Sequence, residues 1–247
     1  MTIEFALNLV VKTGILFAVG YCSGLLVEYK DVKVNYTRKI NHFMLFFIPV
    51  YLDQIFPYDK ESFALHIIGF AVAMVPFIFY TKKFRERFTF LRICFSSFDR
   101  PEDRPHTLLW LTTQITAGFL IIIPMIVLLK YVGMGSLILI PILINGIGDG
   151  LAEPVGIRFG KHKYETYALF SKKKYVRSFE GSACVLITSI IVILLYQPYF
   201  THTQFIVAIF SIPVLMTLAE AFSPHTWDTP FLFFIGYLSL IGISYCP

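Results

Sequence analysis

Asp149 and Glu153 stand four residues apart in "NGIGDGLAEPVGIRFG" (145–160), directly after the apolar run "SLILIPILI". On a helix, residues at this spacing share a face. Two carboxylates stacked in this way repel unless a cation lies between them. A hard, oxygen-binding divalent ion, Mg²⁺ where phosphates are present, meets that need. Ionisable groups inside a membrane span are costly and mark functional sites by default. Gly146, Gly148 and Gly150 strip side chains from around Asp149, so a helix or a ligand can approach its backbone. Pro154 weakens the helix one turn back from itself and frees carbonyls there. The plainer alternative is a glycine-packed helix whose acids pair with loop cations.

A basic segment, 158–178, comes immediately afterwards. Arg158, Lys161, Lys163, Lys173 and Lys174 are candidates to neutralise phosphates bound near the acids. Ordinary positive charge on a cytoplasmic loop is the competing explanation. Glu180 in "SFEGSACV" heads the next apolar run and can pair with lysines of its own loop. Neither GxxxxGK[ST] nor GxGxxG occurs, so a soluble-type phosphate loop is excluded. His66, His106, His162, His202 and His225 are dispersed without zinc spacing. The four cysteines have neither metal nor redox spacing and read as small apolar fillers.

The elements that must position these groups are membrane helices. The 247 residues are 56% apolar and only 15% charged, and apolar runs of span length recur. None alternates as a barrel strand would, so the expected fold is all-α, a polytopic bundle in one membrane domain (1–247). Eight spans are expected, at about 5–27, 40–57, 62–80, 107–129, 134–157, 179–200, 203–222 and 229–246. The first reads as a span rather than a cleaved leader. Of 21 Lys and Arg residues, 18 fall in the alternate loops 28–39, 81–106 and 158–178. The positive-inside rule assigns those loops to the cytoplasm. That distribution argues against nucleic acid as a partner and for membrane lipids. Within 81–106, Phe84, Phe88, Leu91, Phe95 and Phe98 step by three or four, predicting an interfacial amphipathic helix over about 84–98.

This topology sets depth. Asp149 and Glu153 near the end of span five, Glu220 near the end of span seven and Asp228 at the start of span eight all fall toward the cytoplasm. "RKINH" (38–42), with Arg38, Lys39 and His42, stands at the mouth of span two on the same side.

Four segments in this order resemble the CTP-dependent polyprenol kinase family, which comprises dolichol, phytol and farnesol kinases and CTP-using diacylglycerol kinases. They are "RKINH", "GDGLAEPVGIRFGKHKY" (148–164), "KKYVRSFEGSACV" (173–185) and "AEAFSPHTWDTP" (219–230). The resemblance implies a multi-helix enzyme that uses CTP and a divalent metal to phosphorylate a lipid hydroxyl at the cytoplasmic face. On it, Asp149 and Asp228 match the family's functional acids. Arg38, His42, Glu180 and Lys173 or Lys174 match its other polar positions, and Gly148, Gly150 and Gly160 fall in its glycine signature. Lys39, inside "RKINH", joins the nucleotide-binding candidates. Asp149, Glu153, Asp228 and Glu220 are then the candidate metal ligands, and Asp149, Glu153 or His42 the group that takes the hydroxyl proton. Phosphoryl transfer chiefly needs positioning and neutralised phosphate charge, which these residue types supply. A CTP:phosphatidate cytidylyltransferase would use the same acids and cations but attack the α-phosphorus. A small transporter would use the acids as an ion path, although no repeat relates the two halves.

Overall fold

The computed structural model describes residues 3–58, 62–169 and 171–247, with the side chains of 171–173 left aside. The chain is almost wholly helical and divides into two compact units, residues 1–112 and 113–247.

The first unit holds α1 (Ile3–Lys30), α2 (Val34–Ile55), α3 (Phe63–Phe79), α4 (Lys82–Arg87) and α5 (Thr89–Ser96). The continuous amphipathic helix expected over 84–98 is broken. Phe88 is extended (φ −123°, ψ 107°) and separates α4 from α5. The apolar face of α5 is also covered by protein. Leu91, Cys94 and Phe95 form a buried cluster with Tyr80, against which Phe17 and Tyr21 of α1 pack. At Gly24 of α1 the two backbones nearly touch, since any Cβ there would stand 1.8 Å from the Ile93 carbonyl oxygen. The Arg85 guanidinium lies 3.8 Å from the Phe95 ring centroid, a cation–π contact. Lys12 and Asp53, the charges inside the first two expected spans, pair at 3.2 Å, and Asn8 donates to the same carboxylate at 3.0 Å. These charges of α1 and α2 thus find partners on each other's helix.

α6 (Thr107–Tyr131) begins in the first unit and lies mostly in the second. Beyond it, residues 135–159 run as one interrupted helix: α7 (Leu139–Leu143), a π-helical turn (Ile144–Asp149) and α8 (Gly150–Phe159). A two-stranded antiparallel hairpin comes next, β1 (Lys163–Ala168) and β2 (Ser171–Ser178), then α9 (Phe179–Leu195), α10 (His202–Phe222) and α11 (Asp228–Ser244). The basic segment 158–178, expected as a loop, is therefore largely β-structure. The core of this unit is built from Ile140, Ile144, Val185, Ile193, Ile212, Met216, Leu232 and Tyr237. Tyr237 resolves its buried hydroxyl by donating to the Ile138 carbonyl at 3.0 Å.

Four helical segments are long and apolar enough to cross a membrane: Ile3–Lys30, Thr107–Tyr131, Gly135–Phe159 and His202–Phe222. Three apolar helices are shorter, Phe63–Phe79, Phe179–Leu195 and Asp228–Ser244. α2 belongs to neither group, because Arg38, Lys39 and Asp53 lower its hydropathy. Its N-terminal half buries polar groups instead. Thr37 Oγ1 donates to the Ser97 carbonyl at 3.0 Å, and Asn41 Nδ2 donates to Ser97 Oγ at 3.2 Å.

Candidate functional site

The second unit gathers charge around Arg177. This residue lies on β2, whose side chains alternate as a half-buried strand requires: Lys174 and Val176 out, Tyr175 and Arg177 in. β1 alternates in step, with Lys163, Glu165 and Tyr167 exposed and Thr166 and Ala168 buried. Three contacts fasten the inner face of the hairpin to the turn between α10 and α11. The His225 amide donates to the Tyr167 carbonyl at 2.7 Å, and Thr166 Oγ1 donates to the Ser223 carbonyl at 3.1 Å. The Tyr175 and His225 rings stack 3.6 Å apart and 9° from parallel. Thr226, at the centre of that turn, holds the left-handed conformation (φ +68°), which reverses the chain just before Asp228.

Docked in this way, β2 inserts Arg177 between two carboxylates. Its Nη1 donates to both the backbone carbonyl and Oε1 of Glu220, the latter at 2.9 Å. Its Nη2 stands 3.7 Å from Asp228 Oδ2. Burial disfavours the charge on Arg177, but Glu220 and Asp228, with a smaller contribution from Asp149, outweigh it and raise its pKa above the ordinary arginine value. The other oxygen of Glu220 accepts from Ser182 Oγ at 2.7 Å. That spends the only proton of the serine, so the 2.7 Å contact between Tyr164 and Ser182 must have Tyr164 as donor. Burial pushes the Tyr164 phenol up, and the negative charge of Glu220 adds to the shift.

Asp149 is 3% exposed at the end of the π-turn. Such wide turns leave a helix locally irregular and are frequent at functional sites. The π-turn ends before Gly150, one turn back from Pro154, and α8 runs on through the proline as regular α-helix. Gly148, beside Asp149, serves helix packing, as does Gly181 on α9. A Cβ at Gly148 would meet Val185 Cα of α9 at 3.0 Å, and one at Gly181 would meet the Ala152 carbonyl at 2.6 Å. Gly160 is closed off similarly by the Gly156 carbonyl and Ser178. At Gly148 and Gly160 the space that could have admitted a ligand is filled by the protein. Gly150 is buried at the head of α8.

The remaining candidates are distributed. Glu153 is half-buried on α8. Among the described residues Glu180 pairs with His162 rather than with a lysine: its carboxylate is 2.8 Å from His162 Nδ1 and accepts from the His162 amide at 3.2 Å. Lys174 pairs across the hairpin with Glu165 at 2.6 Å, which raises its pKa. Arg158, Lys161 and Lys163 are exposed. The Lys173 side chain lies outside the described residues. Arg38, Lys39 and His42 belong to the first unit. There Lys39 is buried, and His42 packs 4.7 Å from the Phe46 ring. Among the described residues no three of His, Cys, Asp and Glu gather as a metal-binding group. Glu220, expected as a metal ligand, has its oxygens engaged by Arg177 and Ser182.

Sequence reasoning missed Arg177 as a site residue, because it is one of seven cations in its segment. The alternation of "KYETYA" and "KYVRS" was the available signal, since it turns every second residue inward. No protein-family model, curated protein or solved structure matches this chain.

Proposed function

We propose that this chain is a polytopic membrane enzyme that transfers the γ-phosphate of CTP to the hydroxyl of a membrane lipid alcohol, such as a polyprenol, dolichol, phytol or diacylglycerol. The observation that carries this reading is Arg177, buried between Glu220 and Asp228 within electrostatic reach of Asp149. Segments far apart in sequence place this guanidinium between two carboxylates, with a third, Asp149, near enough to act on its charge. Charge of both signs at such a depth is costly and is characteristic of sites that handle charged substrates.

Phosphoryl transfer asks a protein to place charge against phosphate oxygens and to hold the acceptor in line. Arg177 is the buried cation suited to the first task, and exposed Arg158, Lys161 and Lys163 form an outer basic rim. A magnesium ion bound with phosphates needs only one or two protein carboxylates. With Glu220 engaged, Asp149 and Asp228 are the residues to hold it. Bound there, the ion would supply neutralisation of the phosphate charge. On this reading all eight helices of span length or slightly less cross the membrane, and the acid cluster faces the cytoplasm with the basic hairpin.

The test uses purified protein in detergent with Mg²⁺, a panel of lipid alcohols, phosphatidate, and CTP labelled on the γ- or the α-phosphate. Label from the γ-phosphate on an alcohol is the expected result. Label from the α-phosphate on phosphatidate would make the enzyme a cytidylyltransferase. No transfer with any acceptor, alongside nucleotide-independent counterflow in sealed vesicles, would make the chain a transporter.

A further inference from the structure

α6 is among the most apolar helices of the chain, and only 6% of its spanning window is buried in protein, so most of its surface is left for lipid. Yet it carries one side-chain amide, Gln114, and that amide reaches α11 at the residue after Asp228. Gln114 Nε2 donates to Thr229 Oγ1 at 3.1 Å, and Thr229 is the residue after Asp228. Asn145, one turn before Asp149, donates to the Thr229 carbonyl at 3.2 Å from the other side. Thr229 is thus the meeting point of α6, the π-turn and α11. Gly118, one turn beyond Gln114, brings α6 to within about a methyl group of Thr229 and Phe233.

Gln114 and Thr229 are both half-buried, unlike the fully buried Asn145. Among the described residues the single bond between them is the only one either side chain makes. That leaves the Gln114 carbonyl oxygen as an acceptor and the Thr229 hydroxyl proton as a donor. An unmet acceptor and donor side by side, between the largely uncovered α6 and the residue after Asp228, complement a group that both donates and accepts one hydrogen bond. An alcohol hydroxyl is such a group, whereas an alkane offers nothing and a carboxylate only accepts. We infer that Gln114 and Thr229 bind the hydroxyl of a long-chain alcohol arriving laterally along α6 and hold it beside Asp228. Phosphorylation of the bound alcohol rests on the phosphotransferase reading, while the binding itself does not.

The probe is a C16 alcohol carrying a diazirine two carbons from its hydroxyl, with the matching alkane lacking the hydroxyl as control. Both are photolysed with the full-length protein in phospholipid nanodiscs, and labelled peptides are mapped. The expected result is alcohol-dependent labelling of 107–131 and 228–244, weakened about fivefold or more in Gln114→Leu and Thr229→Val, the scale of one lost hydrogen bond. Thr229→Ser, which keeps the hydroxyl, should retain it. In the transfer assay the Leu and Val variants should raise KM for the alcohol and leave KM for CTP unchanged. Equal labelling by the alkane, labelling elsewhere, or loss in Thr229→Ser as large as in Thr229→Val would overturn the inference. Hydroxyl-dependent labelling without any phosphate transfer would keep the binding site and remove the kinase. Transfer with unaltered KM for the alcohol in both variants would do the reverse.

Discussion

Arg177 lies 2.9 Å from Glu220, and this contact joins the hairpin after α8 to the end of α10 across 43 residues of sequence. Each partner is nearly buried, so neither charge can turn to water if the other is removed. Arg177→Met should destabilise the protein by about 3–5 kcal/mol, the usual cost of orphaning a buried charge. Arg177→Met combined with Glu220→Met should recover much of the loss. Thermal unfolding in detergent measures both. A double variant no more stable than the single one would show that the pair is not coupled.

Asp149→Asn and Asp228→Asn should each abolish phosphate transfer while the protein keeps its elution profile in detergent. Both changes preserve shape and remove one charge. Full activity with unaltered Mg²⁺ dependence in either variant would remove that residue from the site.

Glycine substitutions separate close helix contact from open surface. In Gly181→Ala the new Cβ would sit 2.6 Å from the Ala152 carbonyl, a backbone atom that cannot swing aside. A cost of about 1–3 kcal/mol is expected, as for other overpacked positions. The same change at Gly14, where nothing lies within 4 Å, should be neutral or slightly stabilising, since alanine favours helix. Unfolding midpoints of the two variants give the comparison directly.

In the first unit, burial, aided by the Asp53 charge and a 3.4 Å hydrogen bond to Asp53, pushes the Tyr58 phenol from 10.0 up to about 12. The folded chain therefore favours the neutral phenol. The stability this contributes is complete below pH 10 and is lost as the pH rises toward 12. Tyr58→Phe should flatten the alkaline decline between those values. It should also remove one late-titrating step from the absorbance of the 14 tyrosines. An unchanged alkaline decline would show that this phenol titrates normally.

Much of the helical framework was legible in sequence, because a span needs about 20 apolar residues in a row and that signal survives without any tertiary partner. The pairing of Lys12 with Asp53 was not, since each residue read alone only weakens the span that holds it. The apolar step of three or four residues over 84–98 is visible along the chain. Its break at Phe88 and its burial against α1 depend on a backbone approach at Gly24 that no local pattern encodes.

The residue types at the candidate site came from the sequence alone: Asp149, Glu220 and Asp228 are acids in or beside apolar runs, where a charge without purpose is too costly to keep. Their arrangement came from the tertiary structure. It chose Arg177 out of seven neighbouring cations, gave Gly148 to helix packing, and turned Glu180 to His162. The physical reason is that hydrophobicity and spacing act along the chain, whereas the partner of a buried charge is set by which strand face and which helix end meet in space. That meeting depends on the hairpin, whose inward face is held against the α10–α11 turn by Tyr175 stacked on His225.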